Sequence, residues 1–115
     1  MKTLSGLDGL FLHLETPATP MHVGSLSLLQ LPANHRGDFC RSVQRHYARR
    51  LPLVPVLSRR LAAMPLQLAN PVWVQADDVD LKYHVQRVVL PHPGTQAQLE
   101  ECVGRLHSLL LDRTR

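Results

Sequence analysis

Leu7, Leu10, Phe11 and Leu14 fall at i, i+3, i+4 and i+7, the spacing of one apolar helix stripe. The pattern predicts a helix over 4–16, capped by Ser5, with Asp8 in the first turn where a negative charge meets unpaired N–H groups. Pro17 and Pro20 end it. "MHVGSLSLLQL" over 21–31 reads as a strand, and Gly24 within it points to a bulge or to close approach by another backbone or a ligand. "PANHRGD" is a turn. From Asp38, "DFCRSVQRHYARRL" reads as a second helix. Phe39, Val43 and Tyr47 recur every four residues, and Arg41, Arg45 and Arg49 do the same about 160° further round. Opposed faces of this kind suit a helix lying on a core. Pro52 and Pro55 close it, and "VLSRRLAAM" is expected to add a further turn or two of helix.

"LQLANPVWVQ" reads as extended, with Val72 and Val74 on one face and Trp73 on the other. "ADDVD" is turn-like. "LKYHVQRVVL" over 81–90 alternates as a strand does: Leu81, Tyr83, Val85 and Val89 share one face, while Lys82, His84 and Gln86 face away. After "PHPG", Thr95 and Gln98 make a capping box for a last helix. Its buried face is expected to be Leu99, Cys102, Val103, Leu106, Leu109 and Leu110. The predicted order is α-β-α-β-β-α, a mixed α/β chain with helices layered on a sheet.

With 115 residues the chain is one domain at most, and 44% apolar composition is ordinary for a globular protein. Charge sharpens the picture. The formal net charge is +4, and seven of the thirteen Lys and Arg lie between Arg36 and Arg60 against the single acid Asp38. Such a bias marks either an anionic partner or a solvated helix face. The stripe lacks interleaved aromatics and a nucleic-acid-binding motif, so nucleic acid is not expected. Cys40 and Cys102 form no CxxC and read as free thiols of a reducing, cytoplasmic protein. Asp8 interrupts the N-terminal apolar pattern, so no signal peptide is expected, and the longest apolar run, "LPLVPVL", is far shorter than the ~20 residues of a spanning helix.

Seven histidines invite catalytic or metal readings, but none has HxxxH or HExxH spacing, and no metal site is expected. GxxxxGK, GxGxxG and GxSxG are also absent. His107 and Asp112 are five residues apart, about 140° on a helix, so they do not share a face. His107 reads instead as a surface histidine near a helix C-terminus. His22, in "PMHVG", stands beside Gly24 where a ligand can approach the backbone; the competing reading is a structural histidine.

Taken together, "LSGLDGLFLHLETPATPMHVGSLSLL", "FCRSVQRHYARRLPLVPVLSRRL", "NPVWVQADDVDLKYHVQRVVLPHPGT" and "LEECVGRLHSLLLDRTR" resemble the bacterial wax ester synthase/acyl-CoA:diacylglycerol acyltransferases, in order and at family spacing. The resemblance implies a chloramphenicol acetyltransferase-like fold of two domains, with the active site in a tunnel between them. It implies transfer of a fatty acyl group from acyl-CoA, a co-substrate, to diacylglycerol or a long-chain alcohol, with no further cofactor. The family's catalytic histidine belongs to a His-His-x-x-x-Asp-Gly motif, preceded by Pro-Leu-Trp, that follows the segment resembling "LLLDRTR". This sequence contains neither motif. Residues 1–115 are therefore expected to be the N-terminal portion of the first acyltransferase domain, with no catalytic residue. Met21, His22, Val23 and Gly24 are the expected substrate-binding residues. Arg41, Arg45 and Arg49 are the expected contacts to a membrane or lipid-droplet surface, with the inner face of the plasma membrane as a peripheral location. Two other readings stand beside this one: a small basic module that binds membranes peripherally, and a non-catalytic remnant.

Overall fold

A computed structural model describes residues 2–62 and 69–115. Its order is β1 (Lys2–Thr3), α1 (Gly6–Leu14), α2 (Phe39–Arg50), two 3-10 turns (Leu51–Leu53 and Pro55–Ser58), β2 (Arg59–Ala62), β3 (Val72–Gln75), a single helical turn α3 (Leu81–His84), and α4 (Gln96–His107). The architecture is mixed α/β, as the pattern predicted. The sheet runs β1-β3-β2, and both pairings are antiparallel. Val72 pairs with Thr3 on one side and Ala62 on the other, and Leu4 extends the β1 pairing by donating its N–H to the Pro71 carbonyl at 3.2 Å. Among the described residues, Leu4 and Val72 are the two buried hydrophobic side chains, at 6% and 8% exposure.

The three long helices start where their caps place them. The Ser5 hydroxyl accepts from the Asp8 N–H, and the Asp38 carboxylate accepts from the Arg41 N–H. At α4 the Thr95 side chain accepts from the Gln98 N–H while the Gln98 side chain accepts from the Thr95 N–H, completing the expected capping box. Each cap satisfies a donor that the first helical turn leaves unpaired.

Three expected elements are corrected. Residues 21–31 form no strand: no ladder partner lies beside them among the described residues, and Val23, Leu28 and Leu29 are 97%, 76% and 78% exposed. Arg59–Ala62, expected to be helical within "VLSRRLAAM", is β2; pairing with β3 overrides helix propensity there. Ala63 and Met64 of that stretch, and 66–68 of "LQLANPVWVQ", lie outside the described residues. "LKYHVQRVVL" is not a strand. The Asp80 carboxylate accepts from the N–H groups of Lys82 and Tyr83, winding Leu81–His84 into a helical turn, and the chain beyond it is irregular. The side chain of Gln44 on α2 holds that chain by donating to the Val85 carbonyl at 2.9 Å. With these changes the order departs from α-β-α-β-β-α.

The expected buried face of α4 is also corrected. Leu99, Cys102 and Val103 are half-buried, whereas Leu106, Leu109 and Leu110 are exposed. The helix ends at His107, so the last two leucines lie beyond it. The molecule measures 54 × 34 × 18 Å, with a radius of gyration of 17.4 Å against about 13 Å for a compact chain of this length. Its accessible surface is 9812 Å², where about 6,300 Å² is usual for this mass. The framework is an open plate with a very small core.

A plate with so little burial does not offset the conformational entropy of ordering its chain. The isolated 115-residue chain is expected to self-associate and to unfold over a broad temperature range. Light scattering and thermal unfolding check this; a monomer with a sharp transition above about 60 °C would contradict it.

Candidate functional site

Thr16 and Thr19 exchange main-chain hydrogen bonds of 3.2 and 2.9 Å, reversing the chain just after α1. The reversal brings Met21 back beside Glu15, the C-cap residue of α1, and the Met21 N–H donates to Glu15 Oε2 at 3.0 Å. The same carboxylate receives both edges of one guanidinium: Arg113 Nε donates to Oε1 at 3.1 Å and Nη2 to Oε2 at 2.7 Å. The Glu15 side chain is 11% exposed and that of Arg113 30%, so this bidentate pair is partly shielded from water. The guanidinium of Arg113, with the Met21 N–H beside it, holds the Glu15 carboxyl below its ordinary value of 4.5, against an opposing effect of burial. Arg113 also reaches the sheet, where its carbonyl accepts the Leu61 N–H of β2 at 3.0 Å.

His22 follows directly. Its Nε2 lies 2.9 Å from the carbonyl oxygen of His107 at the end of α4. A carbonyl only accepts, so Nε2 is the donor in this contact. Nδ1 is buried and has no partner among the described residues. The two imidazoles meet edge to face, with centroids 4.8 Å apart at 83°. Gly24 completes the contact: a Cβ built there would lie 3.1 Å from His107 Nδ1 and 3.3 Å from Cε1. The close approach expected at Gly24 is therefore made by the His107 ring. Met21 and His22 are half-buried, whereas Val23 and Gly24 are exposed. One ring nitrogen of His22 is thus bonded to α4 and the other is shielded.

Asp112 does not meet His107. Its carboxylate accepts from the Thr114 hydroxyl at 2.6 Å and the Thr114 N–H at 3.0 Å, which lower its pKa, and Arg115 lies 3.5 Å away. Arg41, Arg45 and Arg49 are all exposed on α2 and make no ion pair among the described residues. Asp38, the lone acid of that region, is paired with Arg87, and the Arg41 N–H together with that guanidinium lowers its pKa. A groove of about 940 Å³ between α2 and the end of β3 is lined by Tyr47, Leu57, Arg60, Asp78 and Arg115, but by none of residues 21–24. No group of three or more His, Cys, Asp or Glu among the described residues is placed to hold a metal ion, and no described helix is long and apolar enough to cross a membrane. Sequence reasoning missed Glu15, Arg113 and the His22–His107 contact. The partners stand 98 and 85 residues apart, and no local spacing signals either pairing.

Residues 4–115 match the family described as the wax ester synthase/diacylglycerol acyltransferase catalytic domain. The match spans nearly the whole chain, and the chain belongs to this family. It is 39% identical over 112 residues to a probable diacylglycerol O-acyltransferase of Mycobacterium tuberculosis, tgs3, covering 97% of this chain and 41% of that protein. It is 37% identical over 108 residues to a putative diacylglycerol O-acyltransferase of Mycobacterium bovis, Mb3761c, covering 94% and 24%. Among solved structures, the wax ester synthase/diacylglycerol acyltransferase from Marinobacter aquaeolei VT8 superposes with a TM-score of 0.81 at 34% identity, over 100% of this chain and 27% of that one. The chain thus spans well under half the length of these relatives.

The Glu15 clasp sets a pH dependence. A carboxyl whose folded pKa is lowered contributes stability that is complete above its ordinary value of 4.5 and is lost as pH falls through the lower folded value. Amide exchange at Met21, measured relative to the intrinsic rate at each pH, is expected to be slow at neutral pH and to become relatively faster on acidification. Glu15→Gln should accelerate it at neutral pH and flatten the dependence. An unchanged Met21 exchange rate in the variant would show that the clasp does not hold this segment.

Proposed function

We propose that this chain is part of an O-acyltransferase that moves a fatty acyl group from acyl-CoA to diacylglycerol or a long-chain alcohol. The observation that carries this reading is the recurrence of the entire described framework, at a TM-score of 0.81, within a wax ester synthase/diacylglycerol acyltransferase. In the reaction, the acceptor hydroxyl oxygen attacks the thioester carbonyl. The C–O ester bond forms, the C–S bond breaks, and the hydroxyl proton passes through a general base to the departing CoA thiolate. Acyl-CoA is a co-substrate, and this chemistry requires no other cofactor. No histidine described above is arranged as that base, so the base is assigned to family polypeptide that this chain does not cover.

The role we assign to Met21, His22, Val23 and Gly24 is a wall of the substrate passage. Glu15 and His107 brace the segment from behind, while Val23 stays open to solvent. A braced apolar segment suits an acyl chain or lipid alcohol, because it excludes water without offering polar competition. To Arg41, Arg45 and Arg49 we assign contact with an anionic membrane or lipid-droplet surface. Their exposure and lack of acidic partners favour that role.

Two experiments test the reading. In the first, the chain replaces the corresponding part of the Marinobacter enzyme, and ester formation is followed from acyl-CoA with hexadecanol or diacylglycerol. The chimera is expected to form ester, while the isolated chain forms none above a protein-free control. Gly24→Val, which presses on the His107 ring, should lower the chimera's rate roughly tenfold to a hundredfold, the scale of ångström misplacement in an active site. A folded chimera without ester formation would refute the assignment. In the second, the chain is sedimented with anionic or neutral vesicles. Binding to anionic vesicles should fall strongly when Arg41, Arg45 and Arg49 are all changed to Ala. Equal binding to both lipids, or no loss in the triple variant, would remove the arginine face from the proposal.

A further inference from the structure

Pro52, Leu53, Val54, Pro55 and Val56 are successive apolar residues, and every one is exposed, Leu53 at 77% and Val56 at 59%. They occupy the two 3-10 turns that carry the chain from α2 into β2. Single exposed apolar side chains are ordinary, but an unbroken exposed run marks a surface that gains by leaving water. The groove beside α2 does not account for the run: Leu51 and Leu57 line it, and residues 52–56 do not.

The main chain of these turns suits apolar surroundings. Pro52 and Pro55 have no N–H. The N–H groups of Val54 and Leu57 are bonded within the turns, to the Leu51 carbonyl at 3.0 Å and the Val54 carbonyl at 2.9 Å. Unpaired donors are what make irregular chain costly in lipid, and these four residues present none. Charge frames the run. Arg49 and Arg50 precede it, and Arg59 and Arg60 follow it. All four are exposed, and none is in an ion pair among the described residues. An apolar run between cationic pairs matches the interface of an anionic bilayer, where apolar side chains reach the acyl region and guanidinium groups stay among the headgroups. A second copy of the chain is a poorer occupant, because a self-complementary contact there sets like charges against each other.

We propose that residues 52–56 are a bilayer-inserting turn: Leu53 and Val56 enter the acyl region of an anionic membrane, and Arg49, Arg50, Arg59 and Arg60 meet its phosphate-bearing headgroups. The proposal rests on the lipid-surface reading of α2 and deepens it. The α2 arginines attract the chain to the surface, and the turn inserts at the end of the helix where Arg49 stands.

The test floats the 115-residue chain with vesicles of phosphatidylcholine alone or mixed with phosphatidylglycerol, so that vesicle-bound protein rises and self-associated protein stays below. Binding to the mixed vesicles is expected to persist in part at about 1 M salt, where charges are screened beyond about 3 Å. Leu53→Asp combined with Val56→Asp should lower that salt-resistant binding roughly tenfold or more. Both side chains are exposed, so the circular dichroism of the chain should not change. A second measurement does not depend on the aspartate pair. Leu53→Trp adds an emission to that of Trp73, and vesicles brominated along their acyl chains should quench the added part. The proposal is overturned if the unsubstituted chain shows no salt-resistant binding, if the aspartate pair leaves that binding unchanged, or if the added emission is not quenched. Changing Arg41, Arg45 and Arg49 to Ala separates the two contacts. Loss of low-salt binding in that triple variant, with no effect of the aspartate pair, keeps the α2 contact and overturns insertion. Quenching of the added emission with no effect of the triple variant supports insertion and removes the α2 contact instead.

Discussion

One carboxylate ties the molecule together. Glu15 ends α1, and its two oxygens take three donors: the Met21 N–H and both edges of the Arg113 guanidinium. A shielded carboxylate without partners is costly, and so is a shielded guanidinium. Each makes the other tolerable, and the fork geometry fixes their relative orientation as well as their distance. Because the Arg113 carbonyl is simultaneously bonded to Leu61, the pair couples the first helix to the outer strand of the sheet. Because the Met21 N–H is the third donor, it also sets where "PMHVG" begins. The contact of His22 with His107 then follows from only one further residue of chain.

The features legible in the sequence are the ones decided within four residues. Ser5 and Thr95 cap the helices they were expected to cap, and Asp38, from which the second helix was read, caps it too, since a cap is a hydrogen bond between near neighbours. Val72–Gln75 was legible too, through β-branched and aromatic residues beside a proline. The errors fall where the answer lies elsewhere in the chain. Arg59–Ala62 has the composition of a helix and becomes a strand because β3 is beside it. Residues 21–31 have the composition of a strand and meet no strand partner among the described residues. At 81–90 the alternation was real, but Asp80 bends the main chain before a partner is met.

For the candidate site, the sequence suggested the segment 21–24 but gave no sign of what supports it. Gly24 was readable as a place of close approach, whereas the approaching group, the His107 ring, comes from the other end of the chain. Glu15 and Arg113 drew no reading from the sequence, because a pair separated by 98 residues leaves no periodic trace. The apolar face of α4 was misjudged for a related reason. Helical spacing shows which residues are suited to burial, and it carries no information about what covers them. Leu106 and Leu110 have the right spacing, yet they remain exposed in a plate 18 Å thick.

The geometry of α2 constrains the lipid-surface contact proposed for its arginines. Arginines spaced by four residues drift about 40° per step, so Arg41, Arg45 and Arg49 cover only about 80° of the helix. They stand opposite Phe39, Val43 and Tyr47, of which Val43 is half-buried while Phe39 and Tyr47 are exposed. Each basic side chain near an anionic membrane is worth about 1 kcal/mol, and three together concentrate the chain roughly a hundredfold to two hundredfold. Salt at physiological strength screens such exposed charges beyond about 8 Å, so the attraction acts only at close contact. An interaction of that size is reversible. That reversibility is what the lipid-surface contact proposed for these arginines requires.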